Sequence, residues 1–384
     1  SSEPVVISCT GATASRNYVP GLTEAFYRKL PVLAVTSTQH TGRIGQLCPQ
    51  VIDRSAIQKD IAVMSVQIPL IHTGEDEWDC NVKLNTALLA LTHRGGGPVH
   101  INLVTNYTRD FTVAKLPEYR VIHRITSHSN LPSISAKKIG IFVGAHRVWS
   151  DELTEAVDSF CEKYNAAVLC DHTSNYHGKY RIKFNLICGQ SKHFSETRKM
   201  DLLIDMGEMS GAYMGLSPKE VWRVNSDGQV RDTWKKLTNI FEMEEFDFFK
   251  QYVDMQPGSV NNTSYYQQCR NEYDNLIKAV PELPFSNDWI ALNTSKRLPE
   301  DSVLHLGILN SLRSWNFFEL PTSISCFSNT GGFGIDGIVS TLIGGSLADR
   351  NKLHFCIVGD LAFFYDLNSV ANHNVGNNIR ILLI

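Results

Sequence analysis

Residues 353–360 read Leu353-His354-Phe355-Cys356-Ile357-Val358-Gly359-Asp360, a short apolar run that ends in a Gly-Asp pair. The run has the length and composition of a buried strand, and the pair marks its carboxyl end. A helix that begins directly after such a strand offers unpaired backbone N–H groups and the positive end of its dipole. The Asp360 carboxylate suits Mg²⁺, which takes few protein oxygens and keeps phosphate oxygens among its ligands. The stretch therefore predicts a parallel α/β sheet with a metal-bound diphosphate at its carboxyl edge.

Two neighbouring features favour this interpretation over the alternative that Gly-Asp only turns the chain. Upstream, the Gly-rich turn Ser328-Asn329-Thr330-Gly331-Gly332-Phe333-Gly334 leads into a helix predicted to begin at Ile335. Downstream, a further apolar strand is predicted over residues 379–384. Successive strand and helix units of this kind build parallel sheets.

The same alternation of strands and helices runs through the rest of the chain. Residues 1–120, 136–255 and 261–384 each read as one α/β unit. A stretch rich in Pro and Ser separates the first two units, and Pro257-Gly258 separates the last two. In the second unit Ser150 is a predicted N-cap for a helix over 151–164. The predicted fold class is therefore α/β, with three consecutive parallel-sheet domains.

Composition narrows the possible functions. The 384 residues carry a net charge of −3, which gives no electrostatic case for nucleic acid or an anionic membrane. No apolar run reaches the length of a membrane span. The nine cysteines lack CxxC spacing, which predicts a reducing compartment, the cytoplasm. No Gly-x-Gly-x-x-Gly follows Val143, which disfavours a nucleotide-binding oxidoreductase.

Gly359-Asp360-Leu361 resembles the diphosphate-binding motif of thiamine-diphosphate-dependent enzymes, which reads Gly-Asp-Gly, roughly two dozen residues, then Asn-Asn. Leu361 replaces the last Gly, and the spacing would put the Asn pair directly after Ile384. The resemblance implies thiamine diphosphate and Mg²⁺ as cofactors, with Asp360 as the metal ligand. It also implies that Gly359, Leu361 and Ala362 face the diphosphate.

The Gly-rich turn extends this resemblance. In the family a large aliphatic side chain bends the cofactor so that its 4′-amino group meets its own reactive carbon. Ile335 occupies that place, the carbonyl of Phe333 would accept the amino hydrogen bond, and Gly334 permits the turn. The alternative is that Ile335 is only the first core residue of a helix.

The N-terminal run Cys9-Thr10-Gly11-Ala12 resembles the turn that follows a strand in the family's pyrimidine-binding domain. Thr10, Gly11 and Ala12 would let the backbone approach a planar ring, although small residues also suit an ordinary βα turn. Gln50 falls where the family often places a glutamine beside the reactive carbon, where its amide can donate to a carboxylate or oxyanion. The alternative for Gln50 is a surface loop.

Taken over the whole chain, the resemblance implies a pyrimidine-binding, a central and a diphosphate-binding domain in that order. Both outer domains are expected to be incomplete, with the activating glutamate upstream of Ser1. Whether the central domain binds a nucleotide stays open. The family's cofactor lies between two subunits, which implies a homodimer or homotetramer.

Within this family the chain resembles the menaquinone-pathway synthase that joins decarboxylated 2-oxoglutarate to isochorismate. The matching stretches include Asn310-Ser311-Leu312, Gly334-Ile335-Asp336-Gly337 and Tyr365-Asp366-Leu367-Asn368. The chain departs from that synthase where it has arginines for substrate carboxylates: Gln39-His40, Thr330 and Trp315 stand at those positions.

The resemblance thus implies decarboxylation of a 2-oxoacid, followed by protonation or carboligation. The alternatives are a synthase-like enzyme with an altered substrate and a non-catalytic subunit that keeps the fold.

Overall fold

In the computed structural model the described residues are 3–9, 12–106, 112–190, 194–211, 215–255 and 263–384. The chain forms two compact units, residues 1–124 with 230–238, and residues 125–229 with 239–384. Both are built from helices packed on sheets, and every strand pair with a described register is parallel. The predicted α/β class with parallel sheets is confirmed. Pro257-Gly258, predicted as a linker, lies outside the described residues.

The first unit contains a four-stranded sheet with strand order β1-β2-β4-β3. Its elements are β1 (Val5–Ser8), α1 (Val19–Tyr27), β2 (Val32–Thr38), β3 (Met64–Ile68), α2 (Gly74–Ala90) and β4 (Val99–Val104). Helix α2 begins with a reciprocal cap, because Thr73 accepts from the Asp76 N–H and Asp76 accepts from the Thr73 N–H.

The second unit contains a seven-stranded sheet with strand order β5-β11-β10-β9-β6-β7-β8. Its strands are β5 (His123–Thr126), β6 (Ile139–Val143), β7 (Ala166–Cys170), β8 (Arg181–Lys183), β9 (Lys199–Met206), β10 (Ser217–Val224) and β11 (Leu237–Glu242). The helices of this part are α3 (Asp151–Tyr164), α4 (Asn185–Cys188) and α5 (Glu245–Met255). Helix α3 matches its predicted bounds, with the Ser150 hydroxyl accepting from the Leu153 N–H.

A third sheet, also in the second unit, has strand order β13-β12-β14-β15. The elements of this part are α6 (Ser264–Lys278), α7 (Asn287–Thr294), β12 (Val303–Leu306), α8 (Asn310–Trp315), β13 (Ser325–Phe327), α9 (Ile338–Ala348), β14 (His354–Val358), α10 (Asp360–Tyr365) and β15 (Ile379–Leu383). Because all four strands are parallel, their carboxyl ends meet at one edge. This edge carries both the Gly-rich turn and the Gly-Asp pair.

The turn after β7 ties the seven-stranded sheet to the third sheet. The buried His172 ring lies with Nε2 3.0 Å from the Trp315 carbonyl and 2.9 Å from the Phe318 carbonyl. The Asn175 side chain exchanges two hydrogen bonds with the Cys326 backbone, at 2.8 and 3.1 Å. These contacts fix strand β13, from which the Gly-rich turn departs. Among the described residues, no helix has the length and hydropathy of a membrane span.

Candidate functional site

The Gly-Asp pair lies where the sequence predicts it, between strand β14 and helix α10. Gly359 is the N-cap of α10, and Asp360 is its first residue. The Asp360 N–H donates to the carbonyl of Ile384, the residue after β15, at 3.1 Å. The Asp360 side chain is exposed, and its Oδ1 accepts from the Leu361 N–H at 2.7 Å. A carboxylate thus stands in the open beside the first turn of a helix, where backbone N–H groups have no helical partner.

The glycines around this edge leave space that the protein does not fill. A Cβ at Gly359 would meet no atom nearer than the Ile384 carbonyl oxygen at 3.9 Å, an ordinary contact. A Cβ at Gly331 or Gly332 would meet nothing within 4 Å. Packing of the described chain therefore does not require glycine at these three positions. Their lack of side chains suits the close approach of a ligand to the backbone.

The Gly-rich turn differs from its prediction at one point. The helix was predicted to begin at Ile335, but α9 begins at Ile338, after Gly337 in the left-handed conformation with φ 76°. A left-handed residue interrupts the helix, so Ile335 lies in the turn itself. Ile335 is therefore not the first residue of a helix, and its role toward the cofactor stays a prediction. Phe333 and Ile335 are both partly buried against the cluster of Ile338 and Val358.

Asn329 holds this turn together. Its carbonyl accepts from the Phe333 N–H at 3.3 Å. Its Nδ2 donates to the Gly337 carbonyl and to the Thr341 hydroxyl, both at 3.2 Å. Its Oδ1 lies 3.1 Å from Nε2 of His305 on strand β12. Burial lowers the pKa of His305 to about 4, so the ring is neutral at pH 7.

Asp366 occupies the start of helix α9. Its Oδ2 accepts from the Ser340 N–H at 2.5 Å. A protein carboxylate thus meets the positive end of the α9 dipole. At the start of α10 the carboxylate of Asp360 is exposed instead.

The remaining predicted site residues lie in the first unit. Thr10 and Gly11 are outside the described residues, and Ala12 begins a 3₁₀ helix that runs to Tyr18. Gln50 is exposed in a turn, with φ 62°. The roles of these residues therefore stay predictions.

Arg54 forms hydrogen bonds to three separate parts of the first unit. Its Nε donates to Asn102 Oδ1 at 3.3 Å, and its Nη1 donates to the Ser15 hydroxyl at 3.1 Å. Its Nη2 donates to the carbonyl of Ser37 at the end of β2. Burial lowers the pKa of Arg54. The sequence interpretation missed this residue, because a single Arg in a loop carries no motif.

The positions at which the chain departs from the resembled synthase have different environments. Thr330 is 4% exposed and Trp315 is 1% exposed, so neither side chain is available to a substrate carboxylate. His40 is exposed, and its Nδ1 accepts from the Gly42 N–H. Arg313 is exposed on helix α8.

The donor set fits a metal shared with a diphosphate rather than one held by protein alone. The part of the chain that the structure describes contains no group of three or more His, Cys, Asp or Glu side chains that could hold a metal ion. Mg²⁺ is commonly bound through one or two carboxylates together with substrate phosphates. The exposed Asp360, next to an open backbone at Gly359, meets that description.

Comparison with known proteins identifies the family. No protein-family model matches the chain. The 2-succinyl-5-enolpyruvyl-6-hydroxy-3-cyclohexene-1-carboxylate synthase of Bacteroides thetaiotaomicron is 31% identical over 412 aligned positions, covering 99% of this chain and 71% of the relative. The synthase of the same name from Bacteroides fragilis is 32% identical, with the same coverage. The one from Flavobacterium johnsoniae is 26% identical and covers 100% of this chain and 72% of the relative.

The chain belongs to this synthase family. Members of the family are thiamine-diphosphate- and divalent-metal-dependent enzymes. This confirms the family and the cofactors that the Gly-Asp motif and the Gly-rich turn predicted. The roles of individual residues remain predictions.

The structure adds two contributors that the sequence interpretation did not assign. His305 contacts Asn329 in the Gly-rich turn, and Asp366 accepts from Ser340 in the helix after it. Their signals were weak: a His inside an otherwise apolar strand, and an Asp after a short helix.

Proposed function

We propose that this chain is a thiamine-diphosphate- and Mg²⁺-dependent enzyme that decarboxylates a 2-oxoacid and protonates the product or joins it to an acceptor. The observation that supports the proposal is the carboxyl edge of the third sheet. There the ordered Gly-rich turn follows strand β13, and the exposed carboxylate with its open glycine backbone follows β14, with β12 between the two strands. These are the features that binding of a metal diphosphate requires.

Different residues along this edge would bind the metal, the diphosphate and the ring system of the cofactor. Asp360 would bind the metal, and Gly359, Leu361 and Ala362 would present the first turn of α10 to the diphosphate. Phe333, Gly334 and Ile335 would hold the ring system, with Phe333 accepting through its carbonyl. When bound, thiamine diphosphate supplies the electron sink that loss of CO₂ requires.

Residues of the first unit are proposed to bind the cofactor and substrate as well. Thr10, Gly11 and Ala12 would face the planar ring of the cofactor. Gln50 would donate its amide hydrogens to a substrate carboxylate or oxyanion, without adding a charge of its own. Its exposed position in a turn leaves the amide free to reach a ligand.

The substrate is proposed to differ from that of the menaquinone-pathway synthase. A buried Thr330 and a buried Trp315 cannot offer a guanidinium fork to a carboxylate, and Gln39 and His40 replace a third arginine. The retained edge argues for the same cofactor chemistry, while the lost arginines argue for substrates with fewer carboxylates.

The domain assignment and the assembly are proposed on the same basis. Residues 1–120, 136–255 and 261–384 would be the pyrimidine-binding, central and diphosphate-binding domains. The protein would act as a homodimer or homotetramer in the cytoplasm. Exposed apolar side chains beside the proposed site, among them Phe364 and Tyr365, support burial against another subunit.

The test is CO₂ release from a panel of 2-oxoacids, with thiamine diphosphate and Mg²⁺ present. We expect at least one acid to be decarboxylated without isochorismate, and Asp360→Ala to abolish the release. Cofactor binding without CO₂ from any acid would favour the non-catalytic subunit. Turnover of 2-oxoglutarate that depends on isochorismate would show that the substrate is unchanged.

A further inference from the structure

We propose that His305 is a positioning residue, which fixes the Gly-rich turn through Asn329 so that Ile335 and Phe333 are held in place for the cofactor. The inference rests on the proposed function. It assigns a role to a buried polar group that the motifs do not explain.

His305 stands in the middle of an otherwise apolar strand. Its neighbours on β12 are Val303, Leu304 and Leu306, and its register partners are Phe327 on β13 and Cys356 on β14. The residue is 4% exposed. Burying an imidazole is unfavourable unless its polar atoms are hydrogen-bonded. The hydrogen bond to the turn therefore explains how a histidine is accommodated at this buried position.

The direction of the hydrogen bond follows from the partners of Asn329. The Asn329 Nδ2 faces two acceptors, the Gly337 carbonyl and the Thr341 hydroxyl. The Thr341 hydroxyl donates its own hydrogen to the Gly337 carbonyl at 2.6 Å, so it can accept from Asn329. The amide oxygen of Asn329 therefore faces His305, and the imidazole Nε2 carries the proton and donates.

Through this bond the sheet fixes both ends of the turn. The Asn329 carbonyl holds the Phe333 N–H, and the Asn329 amide holds Gly337. Phe333 has φ 53°, a left-handed conformation that costs a non-glycine residue free energy and needs support from its surroundings. Ile335 lies between these two held residues. Loss of the His305 donor would release Asn329 and, with it, the conformation that presents Ile335.

The experiment compares two substitutions of His305 with one matched control. His305→Gln keeps an N–H donor at about the reach of Nε2, whereas His305→Phe keeps the ring shape without a donor. The control is His354→Phe. His354 is also buried, 3% exposed, on the adjacent strand β14, where it pairs with Val303. Its Nε2 lies 2.9 Å from the Asp349 carbonyl. It therefore lies at the opposite end of the sheet from the turn.

Two readouts apply: calorimetric affinity for thiamine diphosphate with Mg²⁺, and hydrogen exchange of amides 329–341 without cofactor. His305→Phe is expected to weaken binding about tenfold and to speed exchange across the turn. His305→Gln should stay within about threefold of the wild type. His354→Phe should leave both readouts unchanged, even if its melting temperature falls.

Unchanged affinity and exchange in His305→Phe would overturn the inference. So would equal weakening by His354→Phe, which would indicate general destabilisation. If the wild type itself binds no cofactor, the proposed function fails. The exchange data still decide in that case: faster exchange in His305→Phe alone supports the anchoring of the turn, and equal exchange overturns it.

Discussion

Two sheet edges in the second unit have Gly and Asp directly after apolar strands, but the surroundings of these residues differ. Gly144 directly follows strand β6 and Asp171 follows β7, while Gly359 and Asp360 follow β14. A Cβ on Gly144 would lie 1.7 Å from the Glu208 carbonyl oxygen, whereas one on Gly359 would be 3.9 Å from its nearest neighbour. The first glycine is required by the chain's own packing, and the second is not.

The two aspartates differ in the same way. Asp171 is fully buried, with Oδ1 accepting from the Thr173 N–H at 2.7 Å and from its hydroxyl at 2.6 Å. Its Oδ2 accepts from the Ser210 hydroxyl at 2.7 Å. Asp360 is exposed, and the hydrogen bond described for its carboxylate comes from the N–H of the next residue, Leu361. Protein groups use the first carboxylate, and the second is available to a metal.

Gly or Asp after an apolar strand therefore predicts a sheet edge, and only the surroundings decide whether that edge binds a ligand. The seven-stranded sheet has a structural edge that locks it to the third sheet. The third sheet has an open edge that we assign to the cofactor. The following substitutions test this distinction.

The largest effect on stability is expected for Asp171→Ala. The change removes the acceptor of three hydrogen bonds, two from the buried Thr173 and one from the half-buried Ser210. We expect the free energy of unfolding in urea to fall by about 4 kcal/mol. Asp360→Ala should change it by no more than about 0.5 kcal/mol, since the residue is exposed. Similar losses for both variants would contradict the distinction.

Alanine substitutions at the two glycines are expected to have a smaller effect on stability. Gly144→Ala should lower the free energy of unfolding by about 2 kcal/mol, because the backbone at Glu208 must move. Gly359→Ala should leave stability within about 0.5 kcal/mol. Its cost should appear instead as weaker binding of thiamine diphosphate. Equal stabilities for the two variants, measured by urea titration, would show that the Gly144 edge is not closely packed.

The smallest expected effect is a change in the pH dependence of stability, at the edge of the seven-stranded sheet. Burial opposes the charged form of His146, but its hydrogen bond to Glu245 at 2.8 Å, with the attraction of that carboxylate, raises its pKa overall. Stability from this pair is fully present below the unfolded pKa of about 6.5 and is lost as pH rises through the folded pKa.

His146→Gln should therefore destabilise the protein more at pH 5.5 than at pH 8.5. Urea titrations of both proteins at the two pH values measure this difference. A difference that is the same at both pH values would mean that the pair does not charge.

How much the sequence predicts depends on how local the signal is. Helix α3 was predicted to its end residues, because Ser150 caps it and Asn165 ends it in the left-handed conformation. The position of Asp360 at the carboxyl end of β14 was likewise predicted from a local pattern.

Features that depend on distant residues were missed. Several strands were not predicted, since their strand character comes from pairing rather than from a clear alternation of residues: β3, β5, β8, β10, β11 and β13. Helix α9 begins three residues later than predicted, because Gly337 takes a left-handed conformation that its neighbours support. The link between His305 and Asn329 spans 24 residues of chain and could not be found from spacing.

The most direct test of the central claim is calorimetric titration of thiamine diphosphate into the wild type and Asp360→Ala, each with and without Mg²⁺. The open edge predicts binding to the wild type that requires Mg²⁺, and none to Asp360→Ala although that variant stays folded. Equal binding with and without the metal, or undiminished binding by Asp360→Ala, would contradict the assignment of this edge to the cofactor.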